Sequence, residues 1–213
     1  MYTSAKMSFA RTFIGVLALS ISVTATRSRY SDCQALTTYP LDGCPSNTIL
    51  VSQTDSSASF TTIQLAIDSI PKDASSWNIL IEPGNYTEQL NVTRVGPLTL
   101  LGQTGHPSDQ SKNLVTVYWA AANVNVSYPD NAYTSVLTVA PTLEASLTGS
   151  GPTGYAVPAG TPFGNIDFRA YNIDFRNIFS DISVGPSLAV SVSRANTSFY
   201  RCGFYSFQDT VSC

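Results

Sequence analysis

Residues 185–210 run GPSLAVSVSRANTSFYRCGFYSFQDT, and how this stretch is divided decides the fold. Two runs of strand-forming residues, 187–193 and 197–207, flank Arg194, Ala195 and Asn196. Gln208-Asp209-Thr210 then follows directly on a run of aromatics. Asp is depleted from strands, so the pair marks either an ordinary turn or a site. Asparagines and small polar residues recur beside other strand-like runs, in YNID (171–174), RNIF (176–179) and RANTS (194–198). Short strands of this kind suit a sandwich, an up-and-down barrel or a parallel β-solenoid. The recurring asparagines favour the solenoid.

The same pattern extends upstream. Strands are predicted in WNILIEPG (77–84), TEQLNV (87–92), LTLLG (98–102), VTVYW (115–119), SVLTVA (135–140) and IDFRAYNIDFRNI (166–178). Gly, Pro, Asn and Ser separate them. No helices alternate with them, which excludes a doubly wound α/β sheet. One helix is predicted, in TTIQLAIDSI (61–70), where Ile63, Ala66, Ile67 and Ile70 share a face and Pro71 stops the run. Lying ahead of every predicted strand, it would cap the open end of a solenoid. No strict repeat is visible. NIDFR occurs at 165–169 and again at 172–176, but seven residues is too short a period for a coil. Residues 141–164, rich in Pro, Gly, Ser and Thr, are expected to form a surface loop.

The N-terminus points to export. Residues 1–25 carry Lys6 and Arg11, no acid, the apolar run Phe13–Val23 and a small-residue end, the pattern of a cleaved signal peptide. The apolar run is too short to span a bilayer, and no later segment reaches that length. A secreted, extracellular protein without membrane association is expected. Acidic residues outnumber basic ones, 14 to 11, and no Lys/Arg cluster occurs. Nucleic acid is therefore excluded as a partner, and a polyanion is disfavoured unless it presents neutral groups.

Four cysteines in an exported chain suggest disulfides. Cys33 and Cys44 flank QALTTYPLDG, a loop bearing Pro and Gly, and are paired on this reading, within an N-terminal segment 26–59. Cys202 and Cys213 have the same spacing and remain unassigned. One histidine, His106 in GQTGHPSD, is too few for imidazole ligation, so neither metal nor cofactor is expected. Sequons at Asn85, Asn91, Asn125 and Asn196 are candidate glycosylation sites.

Several motifs in order carry a resemblance. Gly84, Tyr86 and Glu88 form G-x-Y-x-E between two predicted strands. Asn172 to Asn177 is similar to a strand of the type DITFEN; Phe199-Tyr200, Cys202 and Phe204 match FYNCRF, and Gln208-Asp209-Thr210 matches QDT. Residues 60–213 thereby resemble part of the pectin methylesterase (pectinesterase) family, particularly its fungal members. The resemblance implies a right-handed parallel β-helix and metal-free hydrolysis of methyl esters on polygalacturonate by a protein that is monomeric at full length. It implies Asp209 as general acid/base, Gln208 as an oxyanion donor, and Tyr205, Phe207 and Thr210 at the pectin-binding surface. Ester hydrolysis needs a nucleophile, a proton for the departing methoxide and donors for the oxyanion. An Asp gives up a proton near neutral pH when desolvation or a second carboxylate raises its pKa. Tyr205 and Phe207 are expected to supply apolar surroundings, stack on sugar rings, or pack in the core.

Two departures qualify the resemblance. Ungapped counting from Phe199 places Pro186, which has no donor, where the family has a second oxyanion glutamine. Past QDT the family continues to a DFIFG-like strand bearing the nucleophilic Asp and an LGRPW-like segment bearing its Arg. Neither is among these residues, and Asp167-Phe168 and Asp174-Phe175 come too early in the order. The expectation is a catalytically incomplete N-terminal portion of a β-helix, with an open end. The alternative is a carbohydrate-binding β-helix derived from an esterase. A pectin depolymerase on the same fold is disfavoured by the QDT and G-x-Y-x-E matches.

Overall fold

The computed structural model describes residues 30–146 and 159–212. The expected signal segment, residues 147–158 of the Pro/Gly-rich loop, and Cys213 lie outside them.

The strands are β1 (Thr48–Val51), β2 (Trp77–Ile81), β3 (Gly84–Thr87), β4 (Leu90–Val92), β5 (Leu98–Gly102), β6 (Val115–Trp119), β7 (Leu137–Val139), β8 (Phe168–Tyr171), β9 (Ile173–Asn177), β10 (Val190–Val192), β11 (Thr197–Tyr200), β12 (Gly203–Tyr205) and β13 (Val211–Ser212). Every ladder between them is parallel. They form three sheets, ordered β1-β2-β5-β8-β11, β3-β6-β9-β12 and β4-β7-β10-β13. From β2 onward each successive strand goes to the next sheet in turn. The result is a parallel β-helix, each coil adding one strand to each sheet.

The two longest predicted strands each prove to be two. Residues 166–178 divide into β8 and β9 at Asn172, and 197–207 into β11 and β12 at Arg201. Asn172 (φ 53°) and Arg201 (φ 54°) sit one above the other, because Tyr171 pairs with Tyr200. A single left-handed residue turns the chain from one sheet to the next. That corner leaves no Gly or Pro to see in the sequence, and Asn tolerates the conformation. The doubled NIDFR is explained by the same corner. Its copies occupy two adjacent sides of one coil, and Phe168 and Phe175 both enter the core.

The coils differ greatly in sequence length. Phe168 pairs with Leu98 on one side and with Thr197 on the other. Long insertions between strands hide the repeat that the stacking makes plain.

The predicted helix is α1 (Ile63–Ser69). It does not precede all strands: β1, which propensity alone missed, comes first and pairs with β2. Ile63, Ala66, Ile67 and Ile70 are buried in the main core with Leu90, Val92 and Leu98. The helix contacts β1, β2 and β4, early strands of two sheets, and so caps that end. A second cluster lies on the outer face of the first sheet, where Leu50, Leu80 and Leu101 pack under Tyr30 and Cys33. Burial on both faces accounts for unbroken apolar runs such as LTLLG. Cys33 and Cys44 are disulfide-bonded, with Cα atoms 4.4 Å apart, closing this cover.

Candidate active site

The G-x-Y-x-E motif holds the fold together. Tyr86 is fully buried, and its hydroxyl donates to the Glu82 carbonyl at 2.9 Å. Glu88 caps α1. Its carboxylate accepts from the amides of Ile63 (2.9 Å) and Gln64 (2.8 Å), while Thr62 at the N-cap supplies no side-chain bond. A carboxylate there satisfies two orphan donors and complements the helix dipole. Glu88→Ala is expected to lower stability by about 1–2 kcal/mol, as loss of a cap does, with Glu88→Gln costing less. Chemical denaturation of the two variants checks the ranking.

The asparagines noticed beside the strands are also structural. The Asn177 amide donates to the carbonyls of Ala121 (2.8 Å), Thr134 (2.9 Å) and Leu188 (3.1 Å). Asn172 accepts from Gln34 and donates to Asn113, which in turn donates to Asp174 and to the Arg201 carbonyl. Asn196 donates to the Ile166 carbonyl at 3.0 Å. Asn177 and Asn196 satisfy backbone carbonyls that would otherwise be left unpaired, and Asn172 joins a network of side chains.

The expected chemistry lies at the corner between β12 and β13. Gln208, Asp209 and Thr210 lie between these strands, on neither of them. Gln208 makes an isolated antiparallel bridge to Ser187, Asp209 adopts the left-handed conformation (φ 55°), and Thr210 leads into β13. Sequence alone left open whether Gln-Asp is a turn or a site; geometrically it is a corner. Three serines surround Gln208. The Ser187 amide donates to its carbonyl at 3.0 Å, as do the Ser187 and Ser206 hydroxyls at 3.5 and 3.3 Å. The Ser183 hydroxyl donates to Gln208 Oε1 at 2.6 Å. Ser206 and Thr210 share a hydroxyl–hydroxyl bond of 3.0 Å. Asp209 is exposed, and among the described residues its carboxylate has no hydrogen bond or ion pair.

Beside this corner runs a groove of about 490 Å³ lined by Arg176, Ile178, Asp181, Phe204, Tyr205 and Phe207, among others. Tyr205 and Phe207 do not enter the core. They are 38% and 58% exposed, so the apolar enclosure expected around Asp209 is not formed by them. The Tyr205 ring lies 3.7 Å under the Arg176 guanidinium, and its hydroxyl accepts from Gln110 at 3.2 Å. Arg176 also pairs with the largely buried Asp174 at 2.8 Å. Gly203 makes room for this group: a Cβ there would come within 2.6 Å of Asp174 Oδ1 and 2.5 Å of the Tyr205 ring. Arg176, Asp174 and Ser183 escaped the sequence reading because nothing in their spacing ties them to QDT. Pro186 sits next to the Ser187–Gln208 bridge, its carbonyl accepting from the Asn123 amide at 2.8 Å. It brings no donor of its own to the corner.

Among the described residues no group of three or more His, Cys, Asp or Glu side chains could hold a metal ion, and no helix is long and apolar enough to cross a membrane. Cys202 is half-buried, and burial pushes its thiol up to about 12. Its pairing with Cys213 lies outside the described residues.

No protein-family model matches the chain. Curated proteins do. Pectinesterase A of Emericella nidulans is 29% identical over 155 residues, 73% of this chain and 39% of that protein. The probable pectinesterase A of Aspergillus niger is 29% identical over 156 residues, with the same shares. A solved pectin methylesterase from Aspergillus niger superposes with a TM-score of 0.58 at 26% identity, covering 79% of this chain and 46% of that one. The pectin methylesterase from carrot, 17% identical, shares the fold with a TM-score of 0.55 over 77% of this chain and 41% of its own. The chain therefore spans about two-fifths of the length of the curated relatives it matches. With its coil order, its G-x-Y-x-E cap and its QDT corner, the chain is similar in both sequence and fold to part of these fungal pectinesterases.

Proposed function

We propose that residues 60–213 form the N-terminal part of a pectinesterase-type β-helix that demethylates pectin outside the cell, with Asp209 as general acid/base and Gln208 as oxyanion donor. The observation that carries this reading is the corner itself. Gln208 and Asp209 stand side by side on a bend fixed by Ser187 and Ser206, next to a groove with two exposed aromatic faces. Exposed rings suit stacking on sugars, with Thr210 and Tyr205 at the rim. The described residues bring no second carboxylate into hydrogen-bond contact with Asp209, and Pro186 offers no second oxyanion donor. The nucleophile and its arginine belong, on this proposal, to a C-terminal part like that of the relatives.

Methanol release from highly esterified pectin tests the proposal. The 213-residue chain should release none, and the chain joined to the C-terminal part of a fungal pectinesterase should release it. Pro186 favours a second reading, a pectin-binding β-helix without turnover. A joined protein that binds pectin and never yields methanol would establish that alternative.

The proposal also places the protein in the secretory pathway, with residues 1–25 removed. The solved Aspergillus niger enzyme carries an N-acetylglucosamine stub on an asparagine. Here the four sequons are not equivalent. Asn85 is exposed and its side-chain amide is unengaged among the described residues, whereas Asn91 lies half-buried in β4 and Asn196 is bound to Ile166. Asn125 is exposed in a short 3-10 turn (Val124–Val126), with φ 51°. Glycopeptide mapping of secreted protein is expected to find glycan on Asn85 and not on Asn91.

A further inference from the structure

We infer that Ser183 is a positioning residue for Gln208, holding the amide oxygen so that the amide nitrogen faces outward as a hydrogen-bond donor. The inference rests on the esterase reading and names a residue that the motifs do not.

A glutamine side chain serves an oxyanion only through its N–H groups; turned over, it presents an oxygen and repels the developing charge. A neighbour hydrogen-bonded to the amide oxygen restrains that turning and leaves the N–H groups to face outward. The Ser183 hydroxyl donates to Gln208 Oε1 at 2.6 Å, and among the described residues the Nε2 group has no acceptor. The donor-bearing end is thus the free one.

The loop that carries Ser183, between β9 and β10, is anchored at both ends. At its start the Ile178 amide donates to the Trp119 carbonyl at 2.8 Å, and the Phe179 amide to Asn177 Oδ1 at 3.2 Å. Ser180 closes a bend by accepting from the Ile182 amide at 3.1 Å. At its end Gly185 passes so close to the Asn123 carbonyl that a Cβ would come within 2.8 Å, and Pro186 accepts the Asn123 amide. Ser187 then bridges to Gln208 itself. Backbone and side chain of Gln208 are therefore held from one loop: Ser187 fixes its carbonyl and Ser183 fixes its amide. With Pro186 in place of a second donor, the orientation of Gln208 alone decides whether the corner can stabilise an oxyanion.

Nitrogen-15 relaxation of the Gln208 side-chain amide in the 213-residue chain reads the contact directly. The order parameter should be near that of rigid backbone in the wild type, fall below about 0.6 in Ser183→Ala, and return in Ser183→Thr, which keeps the hydroxyl. Ser183→Asp, which cannot donate to Oε1, should engage Nε2 instead and order the amide in the reversed sense. Backbone spectra confirm that each variant is folded. In the chain joined to a pectinesterase C-terminal part, Ser183→Ala should lower kcat roughly 3- to 10-fold, the worth of one neutral hydrogen bond. KM should be unchanged, Thr should restore the rate, and Asp should lower it further than Ala. An amide equally ordered in wild type and Ser183→Ala, or mobile in both, overturns the inference. So does methanol release indifferent to Ser183→Ala. A joined wild-type protein that releases no methanol overturns the esterase reading, and with it the catalytic purpose of the contact, even if relaxation shows the amide held.

Discussion

Asp209→Asn, made in the chain joined to a pectinesterase C-terminal part, is expected to cut methanol release by roughly 10²–10⁴-fold, the usual contribution of a positioned acid/base. The substitution is unusually clean at this position. Asp209 has φ 55°, in the left-handed region. Asn adopts that conformation as readily as Asp, so backbone strain is not added. The carboxylate makes no hydrogen bond among the described residues, so none is lost. What disappears is the titratable proton. Thermal melting should be unchanged within error while turnover collapses. Asp209→Ala would confound the two effects, because Ala is strained at positive φ. Gln208→Ala should cost about 10²–10³, as for one oxyanion donor. Full activity in Asp209→Asn would make Asp209 a corner residue only, and the proposed chemistry would have to be assigned elsewhere.

Asn177→Ala is expected to lower stability by roughly 3–5 kcal/mol, since each buried polar group left unpaired costs about 1–3 kcal/mol. Asn177 is 5% exposed and its amide donates to three carbonyls. Its Oδ1 also accepts from the amides of Ala121 (3.4 Å) and Phe179 (3.2 Å). The Leu188 carbonyl keeps another partner, the Val136 amide, but those of Ala121 and Thr134 would face a void. For a chain of this size the loss corresponds to a fall of about 10 °C in Tm. Asn177→Asp should be worse than Ala, because it sets a buried charge against carbonyl oxygens with no N–H between them. Calorimetry on the two variants checks both the size and the order. A loss under 1 kcal/mol in Asn177→Ala would show that water replaces the amide and that the corner needs no staple.

The candidate site was partly legible. QDT stood out because polar residues follow an aromatic run, and G-x-Y-x-E because it falls between two predicted strands. Their meanings differ, though, and spacing could not separate them. Glu88 works through the helix that precedes it, capping Ile63 and Gln64 from the far side of β2 and β3. Ser183 meets Gln208, and Gln110 meets Tyr205, only because successive coils stack.

What the sequence determined by itself was local. Runs of strand-forming residues marked most strands, the Ile63–Ile70 face marked the helix, and asparagines beside strands favoured a solenoid. Each depends on which side of the backbone a residue faces or on what its side chain can reach within a turn. Which strand lies on which, and so which side chains share a groove, was decided only in three dimensions. The entropic cost of closing a loop grows slowly with its length, so insertions of very different size fit between coils that still stack in register. Phe168 can pair with a distant Leu98 and a much nearer Thr197 in the same sheet. That tolerance erased the repeat from the sequence and left the corner, the groove and the serine that holds Gln208 to the tertiary structure.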